Sequence, residues 1–220
     1  MEDLKYQKET FFFDMDGLLF DTEALYYQTR QRILNKYGHS YTKKDHATYI
    51  GKGFDDTIFR LQKIVDDDLL GRKIFNESMK LFQTEIENQN FSLKKGAVKF
   101  LNVLNENGKS CYLTSSSSRK IIVQALQKAQ IKDLFNGIIS GEEVKRNKPA
   151  PDIYLRALTI SRTNKDRALV FEDAKSGVTA AKQAGVDVIM VPDWLPSDKQ
   201  DENKAIFVLS DLNEAATIFR

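Results

Sequence analysis

Two kinds of hydrophobic periodicity alternate along the chain and predict its strands and helices. Short apolar runs are typical of buried strands, and apolar residues that recur every three or four positions predict amphipathic helices. The runs predict strands at 11–13, 110–114, 137–140, 168–172 and 186–191, with a short one near 205–209. The helical spacing predicts helices at 22–37, 42–49, 53–64, 68–87, 96–107, 119–129, 151–161 and 174–184, and one from Asp211.

From residue 96 onwards, strands and helices alternate. This order is typical of right-handed βαβ units and predicts an α/β fold, a Rossmann-like parallel sheet with helices on both faces. No strand pattern occurs between residues 20 and 90. We therefore predict a core domain made of residues 1–20 and 92–220, with a small all-helical cap domain, residues 21–91, inserted after the first strand.

The composition of the 220 residues narrows the class of protein. A formal net charge of +2 gives no reason to expect binding to nucleic acid or to a membrane. No apolar run approaches the roughly 20 residues of a membrane helix, and the N-terminus does not resemble a signal peptide. The single cysteine, Cys111, lies in an apolar stretch, which predicts a buried thiol and a cytoplasmic protein. The sequence is compatible with a monomer but does not fix the oligomeric state.

The first strand ends in a cluster of acidic residues, in the stretch "FFFDMDGLLFDTE" at 11–23. Carboxylates this close repel one another unless a positive group lies among them. Asp14 and Asp16, with one residue between them, can face the same ligand from an extended chain. An EF-hand loop is excluded because its glycine comes two residues later and a helix precedes it. A metal or phosphate site and a plain acidic turn both remain open.

Three further polar segments follow predicted strands or loops. A hydroxyl-rich run at 114–118 precedes a helix, Lys148 lies between two prolines, and Glu172 and Asp173 end an apolar strand. Each has a simpler explanation alone, as a helix N-cap or an exposed lysine. Together they fall where open parallel sheets bind ligands, at the carboxyl ends of the strands.

These motifs resemble the haloacid dehalogenase superfamily, in particular its helical-cap branch of β-phosphoglucomutase-like phosphatases. The pattern D-x-D-G-x-x-x-D-S/T-E matches residues 14–23, and the serine-rich motif matches residues 114–117. The pattern K-P-x-P-D matches residues 148–152, and E-D-x-x-x-G-x-x-A-A-x-x-A-G matches residues 172–185. The resemblance covers nearly the whole chain and implies a Mg²⁺-dependent hydrolase of a small phosphomonoester, such as a sugar phosphate.

The resemblance also implies a role for each residue of these motifs. Asp14 is expected to be the nucleophile that forms an aspartyl-phosphate, and Asp16 the general acid and base. Ser115, with Thr114 as the alternative, Ser116 and Lys148 are expected to bind the phosphoryl group. The Mg²⁺ ligands implied are Asp14, the backbone carbonyl of Asp16, and Asp173, with Glu172 nearby. Asp21 and Thr22 have an open assignment, either catalytic or as an N-cap.

Other functions can be compared with the phosphatase by the residues and segments that each of them needs. A dehalogenase does not need Asp16 or Asp173, a receiver domain that stores phosphate has no large helical insert, and a non-catalytic module would not keep this set of charged groups. A β-phosphoglucomutase is the main alternative. Sugar phosphomutases of this family carry a histidine where this chain has Tyr26 and a cap arginine where it has Phe54. Lys52 and Arg60 lie nearby and could compensate, but Glu23 fits the phosphatase pattern, and we therefore predict a phosphatase.

Overall fold

A computed structural model describes residues 2–50 and 53–220 of the chain. Its strands are β1 (Thr10–Phe13), β2 (Ser110–Ser115), β3 (Gly137–Ser140), β4 (Ala168–Glu172), β5 (Asp187–Met190) and β6 (Phe207–Val208). The helices before β2 are α1 (Glu2–Gln7), α2 (Thr22–Lys36), α3 (Lys43–Ala47), α4 (Phe54–Val65), α5 (Asp68–Glu87) and α6 (Ala97–Glu106). Those after β2 are α7 (Arg119–Lys128), α8 (Asp152–Ser161), α9 (Lys175–Gln183), α10 (Lys199–Lys204) and α11 (Leu212–Ile218).

The six strands form one parallel sheet in the order β3-β2-β1-β4-β5-β6. β1 lies in the middle, with Thr10 opposite Ser110 on one side and Ala168 on the other. Its three phenylalanines are completely buried because the sheet is covered on both faces. The predicted α/β fold with a parallel sheet is confirmed.

The sequence located the long elements but not two short polar helices, α1 and α10. Predicted bounds agree with the observed ones to within two residues for the strands and helices that the periodicity indicated. α1 and α10 were not predicted because neither has an apolar repeat. The start of α10 is capped instead by reciprocal bonds: Asp198 N–H to Asp201 Oδ2 and Asp201 N–H to Asp198 Oδ1, both 3.0 Å.

The helical block between β1 and β2 has its own apolar cluster. That cluster draws its buried residues from α2 to α5 and the loops between them: Ile33, Leu34, Tyr41, Tyr49, Ile58, Leu61, Val65, Ile74 and Phe75. The two ends of the block instead pack into the main core through Leu25, Phe82 and Ile86. The division into a core and a cap at residues 21 and 91 therefore stays a prediction.

The chain enters and leaves the helical block at one place. The backbone N–H of Asp21 donates to the carbonyl of Ser92 (2.9 Å), and that of Lys94 donates to Leu19 (2.8 Å). An antiparallel bridge pairs Phe20 with Leu93. The two connections are thus held side by side. No helix of the described residues is both long and apolar enough to cross a membrane.

Candidate active site

All four polar segments singled out in the sequence meet at the carboxyl edge of the sheet. Asp14 follows β1, and Glu172 is the last residue of the adjacent β4. The turn after Asp14 requires glycine, because Gly17 has φ of +83° and an added Cβ would lie 2.2 Å from Asp173 Oδ2. The backbone of this turn therefore lies directly against an acid from the neighbouring strand end.

Lys148 joins the acids of two strands. Its Nζ lies 2.5 Å from Asp14 Oδ1 and 2.6 Å from Glu172 Oε1, and it also donates to the carbonyl of Thr114 at 3.0 Å. The lysine side chain is only 7% exposed and that of Glu172 only 1%. Tyr154, on the first turn of α8, donates a further hydrogen bond of 2.5 Å to Glu172 Oε1. A buried cation thus satisfies two buried carboxylates.

Asp16 points away from this cluster and towards hydroxyl groups. Thr22 Oγ1 donates to its Oδ1 at 2.7 Å, and Ser117 Oγ donates to its Oδ2 at 2.9 Å. Ser115 Oγ lies 3.4 Å from the same Oδ2. The two aspartates of the first motif therefore have different surroundings, one beside an ammonium group and the other among hydroxyls.

The serine-rich loop presents its side chains at different depths. Thr114 is fully buried and its hydroxyl donates to the carbonyl of Phe13 (3.2 Å), so it is held away from the site. Ser115 is also buried, and its Oγ accepts a bond from the Ser117 N–H at 3.0 Å. Ser116 and Ser117 line the cavity above the acids. The predicted assignment of phosphate binding to Ser115 and Ser116 stays a prediction, and Ser117 joins them as a candidate.

Three acids could hold a metal ion together. One carboxylate oxygen from each of Asp14, Glu172 and Asp173 lies within 4.8 Å of the others. Asp173 Oδ1 is buried without a hydrogen-bond partner, which is the state expected of an atom that takes a cation. Gly177 leaves the space that the Glu172 side chain occupies, because a Cβ added at Gly177 would lie 1.9 Å from Glu172 Oε1. Oxygen ligands of this kind suit Mg²⁺.

Burial and mutual repulsion shift the pKa values of these groups. Burial raises the pKa of Asp14 to about 8, against the opposing effect of the Lys148 ammonium. Burial also raises the pKa of Asp16, although the Thr22 hydroxyl lowers it in part. Asp173 has its pKa raised well above the usual range by burial and by the Asp14 charge. A nearby dication would reverse these shifts for Asp14 and Asp173.

A cavity of about 140 Å³ lies between this edge and the helical block. Its floor is formed by the acids, Lys148 and the serine loop, together with Asn147. Its roof includes Glu23, Tyr26, Arg30, His46, Tyr49, Ile50, Phe54 and Thr57. A second cavity of about 1090 Å³ adjoins it and shares Phe54, Asn147, Lys148 and Asp173 among its lining residues, so the site continues beyond the first cavity.

The structure also places the residues that bear on the phosphomutase alternative. Tyr26 stacks on Phe82 with ring centroids 3.9 Å apart, and it lines the cavity. Phe54 also lines the cavity, whereas the Arg60 guanidinium lies against the Tyr49 ring, 6.0 Å from its centroid. Lys52 lies outside the described residues. Asp21 is the residue before α2 and makes no side-chain capping bond, whereas Thr22 bonds to Asp16.

Several site residues were missed in the sequence, and some of them left a signal. Ser117 could not be distinguished from its serine neighbours, because the choice among them depends on the turn that follows β2. Tyr154 lies six residues after Lys148, on the first turn of a predicted helix. Arg30 follows Tyr26 by four residues and Glu23 by seven. That spacing puts all three on one face of α2, and the sequence could have revealed it.

Comparison with known proteins agrees with the geometry. A family model described as haloacid dehalogenase-like hydrolase matches residues 11–191. This chain belongs to that family. The protein is 32% identical to the "Phosphorylated carbohydrates phosphatase" of Thermotoga maritima over 82% of this chain and 83% of the relative. It is also 34% identical to "(DL)-glycerol-3-phosphatase 1, mitochondrial" of Arabidopsis thaliana, over 91% of this chain and 69% of the relative.

Solved structures of this hydrolase family share the fold. The β-phosphoglucomutase of Clostridium difficile has a TM-score of 0.78 at 22% identity, covering 94% of this chain and 92% of its own. The family model and the curated relatives confirm the predicted family. The predicted activity class, a hydrolase of phosphoric monoesters, is confirmed by the curated phosphatase relatives.

Proposed function

We propose that this hydrolase removes phosphate from a small phosphorylated metabolite through an aspartyl-phosphate on Asp14, with Mg²⁺ as its cofactor. The observation that carries the proposal is the contrast between the two aspartates. Asp14 is tied to Lys148 at 2.5 Å, whereas Asp16 is held by hydroxyl donors and has a raised pKa. One residue is thus suited to attack, and the other to donate and accept a proton.

The reaction proceeds in two steps that these residues can perform. In the first step, an oxygen of Asp14 forms a bond to phosphorus while the bond between phosphorus and the oxygen of the leaving alcohol breaks. Asp16 gives its proton to this alcohol oxygen. In the second, Asp16 takes a proton from a water molecule, whose oxygen bonds to phosphorus as the bond to Asp14 breaks. Lys148 offsets negative charge on Asp14 and on the phosphoryl oxygens, and the serine hydroxyls donate to those oxygens.

The residues present fit a magnesium ion. Asp14 and Asp173 would hold it, with Glu172 close by and the backbone carbonyl of Asp16 as a further oxygen ligand. When bound, Mg²⁺ neutralises carboxylate charge and polarises the phosphoryl group. Asp14 would then be ionised at neutral pH, as a nucleophile must be.

The test combines a substrate panel with direct detection of the intermediate. Purified protein is assayed for phosphate release from sugar phosphates, glycerol phosphate and nucleotides, with Mg²⁺ and with the metal removed by a chelator. We expect release that requires Mg²⁺, and mass spectrometry of acid-quenched enzyme should find phosphate on the peptide that contains Asp14. Release at the full rate after metal removal, or phosphate carried by another residue, would contradict the proposal.

The phosphomutase alternative has one supporting observation, the shared fold with a β-phosphoglucomutase. Against it, Tyr26 and Phe54 occupy the positions where sugar phosphomutases carry histidine and arginine. We expect net phosphate release and little conversion of β-glucose 1-phosphate to glucose 6-phosphate in a coupled assay with a bisphosphate primer. Efficient conversion without matching phosphate release would establish the mutase instead.

We further propose that residues 21–91 form a cap that covers the bound substrate. The separate apolar cluster and the paired connections at residues 19–21 and 92–94 support this. The cap would exclude water and select the leaving group. Hydrogen exchange with and without vanadate tests it: slower exchange in α2 and in residues 47–57 is expected, and unchanged exchange there contradicts a closing cap.

The finer statements about partners and location belong to the same proposal. With a formal net charge of +2, we propose a small-molecule substrate and no nucleic-acid or membrane partner. A cytoplasmic location and a monomeric state are also proposed. Cell fractionation and light scattering of the purified protein would check them.

A further inference from the structure

Arg30 is a buried cation on the cap side of the cavity that no carboxylate neutralises. It is 6% exposed and lines the cavity. Its Nη1 lies 3.3 Å from Tyr41 Oη and 3.4 Å from His46 Nδ1, and neither neighbour is a carboxylate. Among the described residues it forms no salt bridge. A buried guanidinium without a negative partner is costly unless a ligand supplies the charge.

The hydrogen bonds of its neighbours fix which edge of Arg30 is free. His46 Nε2 lies 3.0 Å from Glu23 Oε2, and its Nδ1 lies 3.1 Å from Tyr41 Oη, so these three side chains are held together beside Arg30. Tyr41 and His46 therefore occupy the Nη1 end of the guanidinium. The opposite edge, formed by Nε and Nη2, has no bond among the described residues, and Nε is buried without a partner. This edge carries the two parallel N–H groups that bind a carboxylate or phosphate bidentately.

A second unsatisfied polar group lies beside the guanidinium. Tyr49 lines the same cavity and is 5% exposed, and its hydroxyl is buried without a hydrogen-bond partner. The Tyr49 ring centroid lies 5.0 Å from Arg30 Cζ. Two adjacent donors that nothing in the described chain satisfies are what an anion-binding subsite requires.

Tyr26 lines the same cavity as Asp16, Arg30 and Tyr49, and so connects the subsite with the reacting end. Burial raises the pKa of Tyr26, the Asp16 carboxylate raises it further, and the Arg30 guanidinium lowers it. The tyrosine thus lies within electrostatic reach of both the proposed general acid and the arginine. Since the acids and Arg30 line one cavity, a single ligand can contact both.

We propose that Arg30 and Tyr49 bind a second anionic group, a carboxylate or a second phosphate, at the far end of a small phosphomonoester. This proposal rests on the phosphatase function and names its substrate class. Such substrates carry negative charge at both ends, one end over Asp14 and the other under the cap.

Three substrates that share a two-carbon backbone and differ in their tail test the proposal. Phosphoglycolate carries a carboxylate tail, ethylene glycol bisphosphate a phosphate tail, and 2-hydroxyethyl phosphate a neutral tail. We expect kcat/KM of the native enzyme to favour one of the charged tails by about 10- to 100-fold, mostly through KM, as a charge-assisted bidentate bond provides. Whichever charged tail is favoured identifies the anion.

Two variants assign the preference to the subsite. Arg30→Met should reduce the ratio of charged-tail to neutral-tail kcat/KM by about 10-fold or more. Tyr49→Phe removes only a hydroxyl that has no partner, so it should leave the unfolding temperature unchanged while reducing the ratio by about three- to tenfold. Arg156→Met and Tyr112→Phe are the matched controls, and both should keep the native ratio.

The outcomes separate this inference from the function on which it rests. If the native enzyme hydrolyses all three substrates without preferring a charged tail, or if both folded variants keep the preference, the subsite is overturned and the phosphatase stands. If no phosphomonoester is hydrolysed, the phosphatase proposal fails. Calorimetric binding of the same three compounds to the native protein and to Tyr49→Phe then still decides whether the subsite exists.

Discussion

The floor and the roof of the cavity are built on different principles. On the floor, Lys148 joins Asp14 to Glu172 and Asp16 accepts from hydroxyls, and the unpartnered Asp173 Oδ1 lies where a metal ion would bind. On the roof, one edge of the Arg30 guanidinium and the Tyr49 hydroxyl have no partner among the residues that the structure describes. The floor is organised before a substrate arrives, whereas the roof is completed only by a ligand. The floor therefore carries the chemistry that all substrates share, and the roof selects which substrate binds.

The comparison makes a general prediction about variants. Changes on the floor should lower turnover of every phosphomonoester alike, since they remove groups that act on the phosphoryl centre. Changes on the roof should alter the order of preference among substrates. A floor variant that changed only the preference among substrates would contradict this division of roles between floor and roof.

The largest effect is expected from Asp14→Asn. The amide has the same shape but cannot attack phosphorus, so kcat should fall by at least about 1,000-fold for all substrates. Because one of several repelling carboxyl groups is lost, we expect the unfolding temperature to stay close to that of the native chain. Steady-state kinetics and calorimetry measure both. Substantial turnover in a folded variant would show that Asp14 is not the nucleophile.

A large effect on stability is expected from Lys148→Met. The substitution leaves Asp14 and Glu172 buried without their cation, which should cost about 3–5 kcal/mol in the free energy of unfolding. Urea unfolding measures this, with the exposed Lys132→Met as control, for which a change within about 0.5 kcal/mol is expected. Native stability together with native activity would mean that the lysine does not hold the floor together.

A smaller effect is expected from Thr22→Val. Thr22 is the first residue of α2, on the side of the roof, but its hydroxyl donates to Asp16 on the floor, so this variant tests how separate the two regions are. Losing its O–H donor to Asp16 removes a stabilising contact to the ionised carboxylate, so the pKa of Asp16 should rise further. Since leaving-group protonation needs protonated Asp16, the alkaline decline of kcat should move to higher pH. Thr29→Val, whose hydroxyl bonds only to backbone carbonyls of α2, should leave the profile unchanged. A downward shift in Thr22→Val would contradict this role for Asp16.

The smallest effect concerns Cys111, which belongs to neither floor nor roof. It is fully buried, and burial raises the pKa of its thiol to about 12, so almost no thiolate exists at pH 8. A thiol reagent should therefore react only as fast as the chain unfolds, and Cys111→Ser should retain native substrate preference. Rapid labelling of the folded protein would show that β2 opens readily.

The sequence was informative about the floor because each of its groups follows an element with a strong pattern. Asp14 follows three buried phenylalanines, and Glu172 ends the apolar run of β4, so the strand ends and the topology of a parallel sheet placed them together. The sequence alone could therefore predict that the acids of the first and last motifs lie close together.

The roof could not be predicted in the same way. Whether Arg30 is free depends on Tyr41 and His46, which lie 11 and 16 residues further along the chain and reach it only when the helical block packs. Its spacing from Glu23 and Tyr26 indicated a shared helix face but not which partners occupy that face. Side-chain networks that depend on packing between helices leave no regular signal in a sequence.

The central position of β1 has a consequence for how the chain folds as it is made. β1 leaves the ribosome before the strands with which it pairs, which begin at Ser110 and Ala168, so one edge of β1 stays unpaired until most of the protein has been synthesised. Such non-local pairing slows folding and leaves an apolar segment open to aggregation. We expect truncated nascent chains that end before β4 to aggregate or bind chaperones. In pulse-labelling hydrogen exchange, the β1 amides should become protected together with those of β4.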